Sequence, residues 1–226
     1  MTADSGPSAF RRVPLTFTLQ RTRIIAVLRG GDPDRAEAVA ETLVANGIRC
    51  LELAMTAPGA LGTLERLAAR FPEDVDLGIG AVMTPQDVVR AAGAGARFIA
   101  SPNAAPDVIH AARNLEVASH PGAMTPGEIH LAWRAGASAV RLFPAGSLGT
   151  GHLEAVRAAL PDIPLIPSGS ITLSGTAGWF AAGAAAVAFG PELLGDALTP
   201  GGDLDRLAGR ALQVRAGAEH GHQQGA

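Results

Sequence analysis

The sequence predicts an α/β chain folded as a single (β/α)8 barrel of the TIM type, and three observations carry that expectation. From Ile24 onward, short β-branched or apolar runs alternate with helix-length stretches rich in Ala, Leu and Arg, which is the pattern of βαβ units and a parallel sheet. Eight such units fit within the 226 residues, a common one-domain length for a closed barrel. Hydrophobic residues make up 47% of the chain and charged residues 17%, enough apolar surface for one large core and too much for disorder. Counting alone leaves an open, doubly wound sheet as the alternative, and in both architectures ligands bind at the carboxyl ends of the strands.

The elements follow in order. Strands are expected to begin near Ile24, Arg49, Leu77, Phe98, Val117, Ala139, Leu165 and Ala186, each bounded by Gly or Pro. Asp32-Pro33 opens the first helix with a capping side chain and a proline at its first position. Thr84-Pro85-Gln86-Asp87 and Thr125-Pro126-Gly127-Glu128 add a carboxylate at the third helical position, completing two capping boxes. Asn46-Gly47 and Ala182-Gly183 read as left-handed helix ends. The barrel is expected over residues 23–215. Residues 1–22 form a partly ordered N-terminal extension, frayed over Met1–Gln20, and 216–226 a flexible tail, because both ends are rich in small and polar residues.

Strand parity points to the chemistry. In Cys50-Leu51-Glu52-Leu53-Ala54, Glu52 shares a face with Cys50 and Ala54, while the two leucines face the helices. In Ala139-Val140-Arg141-Leu142-Phe143 the same parity turns Arg141 inward. Charged groups inside a barrel are costly to bury unless they are paired or used. Glu52 and Arg141 are therefore either an ion pair that completes the interior or a base beside an anion-binding guanidinium. The loops Pro167-Ser168-Gly169-Ser170 and Phe189-Gly190-Pro191-Glu192 follow the seventh and eighth strands, where phosphate sites occur in such barrels. Pro191 has no N–H to offer, and neither loop is a dinucleotide fingerprint or a P-loop.

Other function classes fall away. The net charge of −3 gives no basic surplus for nucleic acid or an acidic membrane surface. No apolar run reaches membrane-spanning length and no signal-peptide core is expected, so the cytoplasm is the expected location. The single cysteine, Cys50, allows no disulfide framework. Of the six histidines only His120 falls near a strand end, with no second ligand at metal-binding spacing, so no metal and no cofactor are expected. Ser101, Ser119 and Ser168 lie near strand ends without a nucleophile elbow. The chain contains no lysine, and all 18 basic side chains are arginine, leaving the α-amine of Met1 as its one aliphatic amine.

The order of several stretches resembles the aldolases that cleave 2-keto-3-deoxy-6-phosphogluconate (KDPG) and 4-hydroxy-2-oxoglutarate (KHG). The stretches are Ala26-Val27-Leu28-Arg29, Leu51-Glu52-Leu53, Gly78-Ile79-Gly80-Ala81-Val82, Phe98-Ile99-Ala100-Ser101-Pro102, Pro121-Gly122-Ala123-Met124-Thr125-Pro126-Gly127-Glu128, Arg141-Leu142-Phe143-Pro144-Ala145 and Pro167-Ser168-Gly169-Ser170. The resemblance implies a catalytic acid/base at Glu52. It also implies substrate contacts at Arg29 and Thr56, a pocket shaped by Pro102 and Phe143, a phosphate loop at Gly169, Ser170 and Gly190, and a homotrimer. It places the imine-forming lysine of the family at Arg141, whose guanidinium stays protonated and forms imines poorly. Ala81, Ser170 and Pro191 stand where the family usually has Thr, Gly and Ser. The expected function is that of an aldolase-family lyase on a small 2-oxo acid or phosphorylated sugar acid, without Schiff-base chemistry. In it Glu52 serves as acid/base and Arg141 steadies an enolate. The alternative is a protein that binds such an acid without turning it over.

Overall fold

The structure, a computed structural model, describes residues 11–223. Eight parallel strands form one sheet in the order β7-β6-β5-β4-β3-β2-β1-β8. They are β1 (Ile24–Leu28), β2 (Cys50–Ala54), β3 (Asp76–Gly80), β4 (Phe98–Ser101), β5 (Ala118–Ala123), β6 (Val140–Leu142), β7 (Leu165–Pro167) and β8 (Val187–Phe189). A parallel bridge between Ser168 and Ala188 joins the two ends, so the sheet closes on itself and the open alternative is excluded. Every strand starts within one residue of its expected position.

Ten α-helices accompany the strands among the described residues, and all but the first lie around the outside. They are α1 (Phe17–Thr22), α2 (Pro33–Ala45), α3 (Ala60–Arg70), α4 (Pro85–Gly93), α5 (Pro106–Asn114), α6 (Pro126–Ala135), α7 (Thr150–Ala159), α8 (Thr176–Ala181), α9 (Pro191–Leu194) and α10 (Leu204–Gln223). Both capping boxes form, Thr84 with Asp87 and Thr125 with Glu128. Hydrogen bonds from Thr125, backbone first, hold the Glu128 carboxyl below its ordinary value. Gly47 and Gly183 take left-handed φ of 84° and 92° at the ends of their helices.

Both chain ends carry more helix than their composition suggested. The segment before β1 contains α1, whose Thr16 cap accepts a hydrogen bond from the Leu19 N–H at 3.3 Å. Leu19 is buried and joins the inner cluster with Ile25, Val27 and Phe98, so α1 contributes to the barrel interior. At the other end α10 continues through Ala216 to Gln223, where a flexible tail was expected. Arg215 donates to the Asn46 carbonyl at 3.2 Å, and Gly217 lies against Thr176, tying α10 to neighbouring elements. Residues 1–10 and 224–226 of the two expected frayed ends lie outside the described residues. Among the described residues no helix is long and apolar enough to cross a membrane.

The core has two layers, as a closed barrel requires. Outward strand residues such as Leu51, Leu53, Val140 and Leu142 pack with the helices, while Ile25, Val27, Cys50, Phe98, Ala118 and Ile166 fill the inside. Glycine on β3 sets the shape of that interior. A Cβ at Gly78 would lie 2.5 Å from the Phe98 ring, and one at Gly80 would overlap the Glu52 carboxylate. The strand thus gives up its own side chains to make room for two larger ones from its neighbours. Gly78→Ala should therefore destabilise the fold by about 1–3 kcal/mol through overpacking, read by urea denaturation.

Candidate active site

Glu52 and Arg141 meet inside the barrel. Strands β2 and β6 are four places apart in a ring of eight, so the pair spans the interior from one wall to the opposite one. Both side chains are buried, at 3% and 6% exposure. The guanidinium grips the carboxylate as a fork: Arg141 Nη2 donates to Oε2 of Glu52, and Nη1 faces Oε1 at 3.4 Å. Such a two-pronged contact fixes the plane of both groups as well as their separation.

Above the pair opens a cavity of about 150 Å³ at the carboxyl ends of the strands. Arg29, Glu52, Thr56, Pro102, Arg141 and Phe143 all line it. Ser101 and Ser168 add hydroxyls to its wall, and of these Ser101 donates to the Asn103 carbonyl at 2.8 Å, so it shapes the turn after β4. Arg29 is exposed and has no ion pair among the described residues. With two guanidinium groups against one carboxylate, the cavity suits a small anion. Ala81, at its edge, holds a left-handed φ of 58°, which is strained for a residue with a side chain.

Gly169, Ser170 and Gly190 do not line this cavity. Gly169 is required twice over, by its φ of 87° and because a Cβ there would lie 2.8 Å from the Phe143 ring. Ser170 keeps a left-handed φ of 54°, a conformation that glycine adopts freely and serine at a cost. The Ser168–Ser170 turn is stitched to the segment after β6: Ala145 N–H donates to Ser168 O at 2.8 Å and Gly146 N–H to Gly169 O at 2.9 Å. Gly190 precedes α9, a helix of four residues that begins with Pro191.

Two inward residues below the pair complete the description. Cys50 is buried, and burial, followed by the charge of Asp76, pushes its thiol up, so it is a poor nucleophile at neutral pH. His120 sits in the middle of β5 and is fully buried, not at a strand end. Its inward position was legible from strand parity with Gly122, but the sequence offered no partner that marked it as part of the site.

The inward acid and guanidinium stand at the carboxyl ends of the strands of a closed parallel barrel, the face on which barrels of this class carry their active sites. The sequence model described as "Aldolase: KDPG and KHG aldolase" matches residues 15–209. The chain belongs to the KDPG and KHG aldolase family. It is 33% identical over 216 residues to a protein of Rhizobium meliloti (strain 1021) named "Probable 2-dehydro-3-deoxy-6-phosphogalactonate aldolase", covering 94% of this chain and 99% of that one. It is 30% identical over 171 residues to the 2-dehydro-3-deoxy-6-phosphogalactonate aldolase of Escherichia coli (strain K12), covering 75% and 83%. Among solved structures it resembles "Native KDPGal structure" with a TM-score of 0.83 and 28% identity, over 88% of this chain and 96% of that one. It also resembles the KDPG aldolase of Legionella pneumophila, whose structure holds pyruvate as a covalent carbinolamine. That match has a TM-score of 0.80 and 25% identity, over 87% and 96% of the two chains.

The ion pair should reveal itself in stability. Glu52→Leu leaves a buried guanidinium without its partner and should cost about 3–5 kcal/mol, while the double change Glu52→Leu with Arg141→Met should recover most of that loss. Chemical denaturation of the two variants beside the wild type measures the difference.

Proposed function

We propose that this chain is a lyase of the aldolase family that acts on a small 2-oxo acid, phosphorylated sugar acids included, without forming an imine. The single observation that carries this reading is the forked Glu52–Arg141 pair beneath an anion-sized cavity in a chain that has no lysine. A carbinolamine forms when an amine adds to a carbonyl, and no side chain here offers an aliphatic amine. Arg141 keeps the positive charge at the site and gives up the nucleophile.

The chemistry then runs on charge and proton transfer. An incoming 2-oxo acid competes for the guanidinium, and its carbonyl oxygen takes over a donor that Glu52 held. The released carboxylate removes a proton from the carbon beside the carbonyl. The electron pair of that C–H bond forms the C=C bond of an enolate, whose oxygen is held by the Arg141 N–H groups. Where the substrate carries a hydroxyl two carbons from the carbonyl, Glu52 instead takes the hydroxyl proton. The bond from the hydroxyl-bearing carbon to the carbon beside the carbonyl then breaks, its electron pair forming the C=C bond of a shorter enolate held in the same way, while the hydroxyl carbon leaves as an aldehyde. Arg29, at the rim, is a cation for a carboxylate or a distal anionic group. This route lacks the electron sink of an imine, so enolisation and cleavage are both slower than they would be through one.

The same fork favours one other reading. A carboxylate mated to a guanidinium is a weakened base, and a protein that keeps it mated binds the acid without turning it over. Pyruvate release from 2-dehydro-3-deoxy-6-phosphogalactonate, 2-dehydro-3-deoxy-phosphogluconate and 4-hydroxy-2-oxoglutarate separates the two, with the wild type and Arg141→Lys assayed side by side before and after treatment with pyruvate and cyanoborohydride, which reduces imines selectively, and removal of the reagents. Slow release by the wild type, unchanged by that treatment and about 100-fold or more lower in Glu52→Gln, is the expected result. A reduced pyruvate adduct on the wild type contradicts the imine-free route. A silent wild type beside an active Arg141→Lys supports the binding protein.

A further inference from the structure

Among the described residues, three buried side-chain atoms have no hydrogen-bond partner: Nδ1 and Nε2 of His120, and Nε of Arg141. They belong to one region of the barrel. Gly122 pairs with Arg141 in the register of β5 and β6, and His120 lies two residues before Gly122 on the same inward face. The imidazole stacks on Phe98, with ring centroids 5.1 Å apart and planes 24° from parallel. Phe98 fills the space that Gly78 leaves open, so β3 backs the stack on its Phe98 side. Burial, and after it the charge of Arg141, push the imidazole down to about 3. The ring is therefore neutral in the physiological range, with one bare nitrogen and one N–H. Arg141 Nε–H is a donor that lacks an acceptor, and the bare imidazole nitrogen is an acceptor that lacks a donor.

We propose that His120 is the positioning residue for Arg141, its bare nitrogen accepting the Nε–H hydrogen bond through one buried water shared by the two groups. The inference rests on the reading of Glu52 and Arg141 as the reacting pair. A buried water needs two or more polar partners, and these two groups supply them. The consequence is orientation. During the reaction the Nη groups pass between Glu52 and the enolate oxygen, and a guanidinium tied only through them is free to swing about its last side-chain bond. A third tie at Nε holds its plane while the other two exchange partners. A neutral acceptor suits this place, because a protonated ring would repel the guanidinium it has to steady.

The test compares wild type, His120→Phe, which keeps a flat ring on Phe98 but no acceptor, and His120→Gln, which keeps an acceptor. In ¹⁵N-labelled protein the Arg141 Nε–H proton, assigned by its loss in Arg141→Met, should be shifted downfield in the wild type and His120→Gln and return to the free position in His120→Phe. Exchange of the pyruvate methyl protons in D2O should fall on the order of 10-fold or more in His120→Phe, mainly in kcat, and be largely restored in His120→Gln. An Nε–H shift that is the same in all three overturns the proposal. The wild type gives a check that needs no variant: between about pH 5 and 8 the imidazole ¹⁵N spectrum should show a neutral ring with a hydrogen-bonded bare nitrogen, and a free one overturns the proposal. Should the wild type exchange no methyl protons, the catalytic reading of the pair fails, while the Nε–H shift still decides what His120 does.

Discussion

The ion pair across the barrel is the constraint to which the rest of the interior answers. Glu52 and Arg141 come from opposite walls, and each side chain must reach towards the axis to meet the other. That is possible only where the walls between them are thin. Gly80 clears the path of the carboxylate, and Gly78 clears that of the Phe98 ring. A β3 built of ordinary side chains would have filled the space the pair requires. The glycines of Asp76–Gly80 are therefore part of the charged site, although they carry no charge themselves.

Stability alone does not account for such an arrangement. Two desolvated charges recover their hydration cost only through good geometry, and an apolar filling of similar volume is commonly as stable or more so. The barrel here has the means for that filling, since Ile25, Val27, Phe98 and Ile166 pack its lower half. A forked ion pair retained at the boundary between that apolar half and an anion-sized cavity points to chemistry. Membership in the KDPG and KHG aldolase family supplies the setting. On the proposed reading, a chain without lysine handles carbonyl electrons by charge, where an imine would otherwise take them up.

Much of this was legible in the sequence for identifiable reasons. Strand starts were readable because β-branched runs change abruptly to helical periodicity, and the capping boxes because Thr, Pro and a carboxylate at fixed spacing serve the unpaired N–H groups at a helix start. The inward turn of Glu52 and Arg141 followed from a period of two. Their pairing was one of two readings left open by the sequence, because 89 residues separate them and only barrel closure makes their strands opposite. Helix α1 was missed because six residues give too little periodicity, and its order comes from burying Leu19 in the interior. The length of α10 was missed because Ala, Gly and His look like a tail until Gly217 is seen packed on Thr176. His120 was noticed but given no role, because its neighbours Phe98 and Arg141 lie on other strands.

In the proposed route Glu52 moves a proton next to a carbonyl while Arg141 holds the enolate, with no covalent link to the protein. The most direct measurement is the loss of the pyruvate methyl signal in D2O, followed by proton NMR with wild type and Glu52→Gln. Deuterium incorporation by the wild type is expected well above the buffer rate, with a fall to near that rate in the variant. Incorporation that is the same with both proteins, or none by a wild type that binds pyruvate, would contradict it.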